Sequence, residues 1–178
     1  MRETSLPLGF TGGRLRRMRP EDLEAFRSYR ALPELGRYQG WSPMSEGDSL
    51  KFLVEMSNAP MFVPGKWVQL AIADLELDSI IGDIGLYLSA DGETGELGFT
   101  LEPSAQGRGI ASRAVKEALQ LLFAATSISH VLGITDERNL PSIRLLERLG
   151  FKLREIRNAV FKGEECLERV YVASRNDA

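Results

Sequence analysis

Hydrophobic residues in the first third of the chain follow a helical spacing, apart from one strand-like segment. That segment, 14–18, alternates arginines with apolar residues and is predicted to be the first strand. Pro20 stands at a first helical position and Pro33 prevents continuation, so a helix is predicted between them to about Ala31. Further helices are predicted at 34–38 and at about 48–56.

The rest of the chain predicts a main sheet and two covering helices. Alternating segments are predicted as strands at 67–73, 80–88, 96–101, 130–135, 151–159 and 164–172. The connections 74–79 and 89–95 are short enough for antiparallel hairpins. Apolar residues at helical spacing predict helices at about 109–125 and 140–149. The predicted fold class is therefore α/β (α+β). It is a single domain over residues 1–178, with a mixed, mostly antiparallel twisted sheet of about six to seven strands flanked by helices.

Composition limits the classes of partner. The 178 residues are 43% hydrophobic, which is enough for one substantial core and short for two. A net charge of −3 offers no basic face to a polyanion, so no nucleic acid partner is expected. No apolar stretch approaches the length of a membrane span, so no membrane partner is expected and the predicted location is cytoplasmic.

The chain has one cysteine and one histidine, which excludes several kinds of site. Cys166 alone forms neither an intramolecular disulfide nor a multi-cysteine metal site, and no metal is expected. His130 stands at the start of an apolar strand, so a structural role is favoured over a catalytic triad built around it.

A glycine-rich segment joins the strand at 96–101 to the following helix, and it is composed of Gln106, Gly107, Arg108, Gly109, Ile110 and Ala111. The two glycines let the backbone curl and bring successive N–H groups toward an anion. The helix adds the positive end of its dipole, and Arg108 adds a charge suited to phosphate. These residues alone predict a phosphate site and a simple connecting turn equally well.

Gly98 interrupts the alternating strand 96–101. A glycine inside a strand marks a bulge or the close approach of another backbone, and a packing glycine is the alternative. If a phosphate-bearing ligand occupies the loop, its extended arm would run beside this strand as an added strand. The two amides of the pantetheine arm of coenzyme A suit that arrangement.

The Gln-x-x-Gly-x-Ala string at 106–111 resembles the pyrophosphate-binding motif of the GNAT superfamily of acyl-CoA-dependent N-acyltransferases. The run from Asn139 to Phe151 resembles that superfamily's second motif, Asn-x-x-Ser-x-x-x-Leu-x-x-x-Gly-Phe. One helix and one strand separate the two motifs, as in the superfamily, and the resemblance spans most of the chain. The segments 19–23, 37–41 and 96–99 resemble the RimJ/RimL-like branch, which contains ribosomal-protein N-terminal acetyltransferases.

The resemblance implies a GNAT-like fold and an N-acetyltransferase. The implied reaction moves an acetyl group from acetyl-CoA to a primary amine by direct attack. The acceptor is left as a protein N-terminus or a small-molecule amine, and a homodimer is left open. Besides the motif loop at 106–111, the implied cofactor-binding residues are Phe99, Thr100, Leu101, Asn139 and Ser142.

Two residues are the candidates for acid–base catalysis. Many superfamily members have a tyrosine acid where this chain has Leu146, and by resemblance Ser142 is the nearest substitute. The alternative for Ser142 is a first-turn helix residue that bonds to its own backbone. Glu96 shares a strand face with Gly98 and Thr100 and is the candidate base, with a solvated surface glutamate as the alternative.

Acceptor binding is assigned to the early helices. Tyr38 and Trp41 are predicted to form an aromatic wall, with a hydrophobic lid over the core as the alternative. Glu34, Glu46 and Asp48 are predicted to attract a cationic amine.

Two alternatives to an acetyltransferase belong to other classes of protein, a dinucleotide-binding protein and a non-catalytic sensor. The spacing of Gly107, Gly109 and Ser112 is one substitution from a dinucleotide-binding fingerprint. That fingerprint requires an apolar parallel strand before it, whereas 96–101 alternates after a hairpin turn. The missing tyrosine favours a non-catalytic acyl-CoA-binding sensor as the alternative.

Overall fold

The computed structural model describes residues 5–175, in which eight strands form one sheet with five α-helices around it. The strands are β1 Leu8–Phe10, β2 Gly13–Arg17, β3 Trp67–Ala73, β4 Ile80–Leu88, β5 Thr94–Leu101, β6 His130–Asp136, β7 Lys152–Phe161 and β8 Glu164–Ser174. The helices are α1 Leu23–Arg30, α2 Pro33–Gly36, α3 Glu46–Asn58, α4 Ile110–Ala125 and α5 Leu140–Arg148. Within residues 5–175, no helix combines the length and the apolar character needed to cross a membrane.

The strand order is β1-β2-β3-β4-β5-β6-β8-β7, and neighbours are antiparallel except for the parallel pair β5–β6. The predicted α/β class with a mixed, mostly antiparallel sheet is confirmed. The sheet has one strand more than predicted because β1 is only three residues long. Three residues are too few for alternation to show in the sequence, and β1 is identified by its pairing with β2.

Helices cover both faces of the sheet. On one face α4 packs over Leu70, Ile72 and their neighbours in the larger core cluster. On the other face α1 and α3 pack against a smaller cluster that includes Ala71 and Ile80. Leu70 and Ala71 belong to different clusters because successive side chains of a strand face opposite sides. The layers therefore bury both sides of the central strands.

The two parallel strands separate in the middle of the sheet. β5 and β6 pair only from Thr94↔His130 to Leu97↔Gly133. Beyond Leu97, β5 remains paired with β4 as far as Leu101, and β6 remains paired with β8 as far as Asp136. The carboxyl ends of β5 and β6 thus diverge, and the opening between them is called the wedge below. A crevice at the carboxyl ends of parallel strands is a common position for a ligand.

A bulge, one of the alternatives for Gly98, is absent from the β4–β5 pair, since its register runs without a shift from Gly82↔Leu101 to Leu88↔Gly95. Gly98 is instead the first residue of β5 beyond the β5–β6 pairing. A Cβ atom built on it would meet no heavy atom within 4 Å. The position therefore borders open space at the wedge.

Candidate active site

Two cavities lie on opposite faces of the sheet and meet at the wedge. The first, called the α4–α5 groove, has a volume of about 530 Å³ and lies between the N-termini of α4 and α5. The second, called the inner cavity, has a volume of about 710 Å³ and lies on the α1–α3 face. A passage of about 40 Å³ through the wedge is lined by Gly98, Gly133 and Ser142, among others. A molecule in the groove and a molecule in the inner cavity would therefore approach each other through the sheet.

The motif loop forms one end of the α4–α5 groove. Gly107 and Gly109 have φ values of 73° and 72°, a region that favours glycine, and α4 begins directly after them. The first N–H groups of an α-helix have no acceptor inside the helix. Those of α4 therefore point toward the groove with the positive end of the helix dipole, an arrangement that suits a phosphate.

Two side chains hold the loop in this shape. Gln106 donates from Nε2 to the carbonyl oxygen of Leu101 at 2.9 Å, which ties the loop to the end of β5. Arg113 donates from Nη1 to the carbonyl oxygens of Arg108, at 3.0 Å, and Thr11, at 3.2 Å. No local sequence pattern singles out Arg113, because Thr11 lies 102 residues away.

The predicted loop residues divide into two groups. Gln106, Gly107, Gly109, Ile110 and Ala111 all line the groove. Arg108 does not line the groove, and its exposed side chain lies near Asp74. The pKa of Asp74 is lowered mainly by hydrogen bonds from the Leu77 and Glu76 backbone N–H groups, and the charge of Arg108 lowers it further. The Ile110 side chain is buried in the core, so only its backbone is available to a ligand.

β5 supplies the wall of the groove nearest the wedge. The Phe99 carbonyl oxygen accepts from Gln39 Nε2 at 3.0 Å, and the Leu101 carbonyl oxygen accepts from Gln106. Since the N–H and C=O groups of one strand residue face the same side, the N–H groups of Phe99 and Leu101 also face away from β4. Thr100 also lines the groove, but its side chain lies on the opposite face, where Oγ1 accepts from Trp41 Nε1 at 3.4 Å.

The N-terminus of α5 forms the other wall of the passage. Asn139 is the N-cap of α5, and its side chain accepts from the Ser142 backbone N–H at 3.5 Å. Both residues line the groove and the passage. Leu146 also lines the passage, and its Cδ2 lies 2.7 Å from the position a Cβ atom on Gly133 would occupy. The position of the family's tyrosine therefore holds a packed leucine, and Ser142 is the hydroxyl nearest the helix start.

Glu96 lies in the wall of the inner cavity, with Gly98 and Thr100 on the same strand face. Among residues 5–175 no hydrogen bond holds its carboxylate. Burial raises the pKa of Glu96, and the nearby Glu168 carboxylate raises it further, whereas Arg157 lowers it. A carboxylate with a raised pKa accepts a proton more readily than an exposed glutamate does.

Tyr38 lies at the boundary between the cavities, and Trp41 lies in the inner cavity. Tyr38 lines the groove, the passage and the inner cavity. Trp41 lines the inner cavity, where the Arg30 guanidinium lies 4.3 Å from the centroid of its ring. The structure thus brings both predicted aromatic residues to the cavity that faces Glu96.

The floor of the inner cavity contains a buried charge cluster. Asp83, 1% exposed, accepts hydrogen bonds from Arg30, Tyr29 and Gln69, with Arg30 Nη2 at 2.7 Å. Burial, followed by the charge of Asp83, raises the pKa of Tyr29 well above its usual range. The only sequence signal for the cluster was an aspartate inside the otherwise apolar strand β4.

The acidic residues near the inner cavity differ from those predicted. Glu34 lines the α4–α5 groove instead. Glu46 pairs with Arg27 at 2.8 Å, and Asp48 accepts from Ser45 at the start of α3. None of these three residues lines the inner cavity, and their attraction of a cationic amine stays a prediction. The carboxylates that line the inner cavity come from the sheet, and they are Asp83, Glu96, Asp136 and Glu168.

His130 is exposed at the start of β6 and lines neither cavity, so the structure brings no imidazole to the wedge. Cys166 lies in the wall of the inner cavity, and burial raises the pKa of its thiol. Phe161 of β7 lies in the same wall. Neither Phe161 nor Cys166 was predicted as a site residue, because the sequence does not show that β8 pairs with β6 and so brings the β7–β8 hairpin to this cavity.

Comparison with known proteins agrees with this geometry. A family model described as acetyltransferase (GNAT) domain matches residues 14–152. The chain is 28% identical over 162 residues to the uncharacterized N-acetyltransferase p20 of Bacillus licheniformis, a match that covers 90% of each. It is 29% identical over 98 residues to the uncharacterized N-acetyltransferase YnaD of Bacillus subtilis, covering 54% of this chain and 57% of YnaD.

Solved structures show the same fold. An acetyltransferase of the GNAT family from Bacillus anthracis superposes with a TM-score of 0.84 at 18% identity, covering 96% of this chain and 99% of that one. A RimL ribosomal L7/L12 α-N-protein acetyltransferase in complex with coenzyme A gives 0.81 at 14% identity, covering 98% and 100%.

Proposed function

The chain belongs to the GNAT acetyltransferase family, whose members use acetyl-CoA, and from that premise we propose that it acetylates a primary amine by direct attack on the thioester. The observation that carries the proposal is the passage through the wedge. It joins a groove suited to the cofactor with a separate cavity that contains a carboxylate of raised pKa. Two substrates bound on opposite faces of the sheet would meet there, which is the geometry that direct transfer requires.

The cofactor is assigned to the α4–α5 groove. The pyrophosphate would accept from the N–H groups at the start of α4, where Gly107 and Gly109 remove side chains from its path. The pantetheine arm would lie along β5 and accept from the N–H groups of Phe99 and Leu101 that face away from β4. This places the thioester at the passage, close to Asn139 and Ser142.

The chemistry proceeds from the inner cavity. Glu96 takes one proton from the incoming ammonium, directly or through water, and the free amine attacks the carbonyl carbon. Strand N–H groups at the wedge stabilise the oxyanion of the tetrahedral intermediate. The carbon–sulfur bond then breaks, and a second proton from the attacking nitrogen reaches the thiolate through the Ser142 hydroxyl. The products are the amide and coenzyme A, with one proton released to solvent.

A non-catalytic acyl-CoA-binding sensor is the second candidate. The observation that favours it is Leu146, which places a packed aliphatic side chain where many family members have a tyrosine acid. The sensor and the enzyme share the α4–α5 groove, and they differ in whether the acetyl group leaves the cofactor.

Release of free thiol from acetyl-CoA, measured with a panel of amines, tests the proposal. The panel contains aliphatic, aromatic and polyamine acceptors and peptides with free N-termini, and we expect turnover with at least one. Glu96→Gln should lower that turnover, while Glu93→Gln in the exposed β4–β5 turn serves as the matched control. Tight acetyl-CoA binding without thiol release for any amine would establish the sensor instead.

A further inference from the structure

The tip of the β7–β8 hairpin is hydrogen-bonded to the last residue of α2 and to the segment that follows α2. Lys162 donates from Nζ to the carbonyl oxygen of Gly36 at 2.7 Å and to that of Trp41 at 2.9 Å. Phe161, the residue before Lys162, lines the inner cavity, as does Trp41. The two hydrogen bonds therefore join two walls of the inner cavity, and this pair of contacts is called the Lys162 clasp.

The Lys162 clasp affects which acceptor can bind, because small molecules and protein N-termini require binding sites of different shape. A small molecule binds in a concave, mostly apolar cavity of several hundred Å³, and the inner cavity has about 710 Å³. A protein N-terminus enters as an extended chain, which requires an open groove or a free sheet edge along several residues. Joining the hairpin to the segment after α2 closes one side of such a groove.

The lining of the inner cavity suits an apolar or aromatic body. Aromatic rings come from the segment after α2, from α3, β3 and β5, and from the end of β7. They are Tyr38, Trp41, Phe52, Trp67, Phe99 and Phe161. Such rings bind flat apolar groups and cations through their faces.

The inner cavity has one carboxylate available to pair with an ammonium group. Three of its four carboxylates are paired with arginines: Asp83 with Arg30 at 2.7 Å, Asp136 with Arg138 at 2.8 Å and Glu168 with Arg157 at 3.1 Å. Glu96 has no such hydrogen-bonded partner among the described residues. An acceptor with one positive charge therefore matches the cavity better than a polyamine does.

We propose that the acceptor is a small primary amine with an aromatic or apolar body, enclosed by the Lys162 clasp with its ammonium at Glu96. The proposal rests on the acetyltransferase function proposed above and selects one of the two acceptor classes left open there. A protein N-terminus is the competing class.

Comparative kinetics of acetyl transfer test the acceptor class. The acceptors are 2-phenylethylamine, spermidine and a hexapeptide with a free N-terminal serine, each assayed for thiol release at saturating acetyl-CoA. We expect kcat/KM for 2-phenylethylamine to exceed that of the other two by at least tenfold. A hexapeptide or spermidine that reacts as well as 2-phenylethylamine would overturn the acceptor class and leave the acetyltransferase function standing. Absence of turnover with every amine of the wider panel would overturn both.

Opening the clasp tests the role of Lys162. Lys162→Met retains an unbranched apolar stem and removes both donated hydrogen bonds, and Lys116→Met on the exposed face of α4 is the matched control. The ratio of hexapeptide to phenylethylamine kcat/KM should rise at least fivefold in Lys162→Met and stay at the parent value in the control. An unchanged ratio in a variant with parent-like thermal unfolding would contradict enclosure by the clasp.

A change in the cavity wall provides a second readout. Phe161→Ala removes one ring of the inner cavity and leaves the α4–α5 groove intact. We expect at least a fivefold higher KM for 2-phenylethylamine and an unchanged KM for acetyl-CoA. Equal KM values for the amine in variant and parent would remove the aromatic body from the proposal.

Discussion

Gly109→Val is the sharpest test of the cofactor groove. Gly109 has a φ of 72° and is the N-cap of α4, so its backbone sets the direction of the N–H groups that follow. The left-handed region costs a residue with a side chain about 1–2 kcal/mol, and a β-branched residue is rarely found there. A Cβ at this position would also lie 3.4 Å from Arg113 Nη2, in the guanidinium that holds the loop.

The expected loss of affinity follows from this strain. The free variant can relax by rotating φ at residue 109, but the bound loop must return to the parent shape to present its N–H groups. Binding would then be weakened by about the strain energy of 1–2 kcal/mol. Since about 1.4 kcal/mol corresponds to a tenfold change, we expect the Kd for acetyl-CoA to rise by a factor of about 5 to 30.

The assay is isothermal titration calorimetry with acetyl-CoA, and thermal unfolding verifies that each variant is folded. Gly92→Val is the matched control, because Gly92 has a φ of 74° in the β4–β5 turn, outside the groove. It suffers the same backbone strain and should retain the parent Kd. Gly109→Asn should lose less affinity than Gly109→Val, because asparagine tolerates the left-handed region. Parent-like affinity in a folded Gly109→Val protein would refute the assignment of the pyrophosphate to this loop.

Other predictions concern the catalytic residues and the buried cluster. Ser142→Ala should lower kcat at least tenfold with little change in the Kd for acetyl-CoA. The reason is that the hydrogen bond from the Ser142 hydroxyl to the sulfur strengthens as negative charge develops there. A kcat equal to that of the parent would remove Ser142 from the mechanism. Glu96→Gln should lower the acetylation rate constant and shift the rising limb of its pH profile upward, and a parent-like profile would show that Glu96 is not the base. Folding raises the pKa of the Glu96 carboxyl group, so this group stabilises the folded protein at low pH. That contribution is lost as the pH rises through the folded-state pKa. Glu96→Gln should therefore unfold at an equal or higher temperature than the parent at pH 7, and a clearly lower value would contradict the burial of its charge. Asp83→Asn should reduce the free energy of unfolding in urea by about 3 kcal/mol, because it leaves the buried Arg30 guanidinium without a counter-charge, and a loss below about 1 kcal/mol would show that the pair is dispensable.

The local features of the fold could be predicted because they depend on neighbouring residues. Strands β3 and β4 begin and end at the predicted residues, since their alternation and the turns between them are short-range properties. The helix after the motif loop begins one residue later than predicted. The left-handed glycines at 107 and 109 are likewise local, because glycine adopts that region without a steric cost.

The candidate site was only partly predictable. Phe99, Thr100, Leu101, Asn139 and Ser142 line the groove, as the resemblance implied. The contact between the Thr100 hydroxyl and Trp41 on the opposite face was not predictable, because Trp41 lies 59 residues earlier in the chain. The predicted Glu46 and Asp48 are surface residues of α3, because a charge near an aromatic segment in sequence need not share its cavity.

The sequence by itself determined the elements, the motif loop and the family resemblance, all of which rest on spacing over a few residues. Tertiary structure alone decided where β5 and β6 separate, which residues meet across the wedge and what closes the inner cavity. Lys162 reaches the carbonyl of Gly36, 126 residues away, and Arg30 meets Asp83 across 53 residues. Such contacts depend on strand order and on the divergence of two strands after Leu97. No local pattern encodes them, because the free energy that holds them comes from burying the whole sheet between its helices.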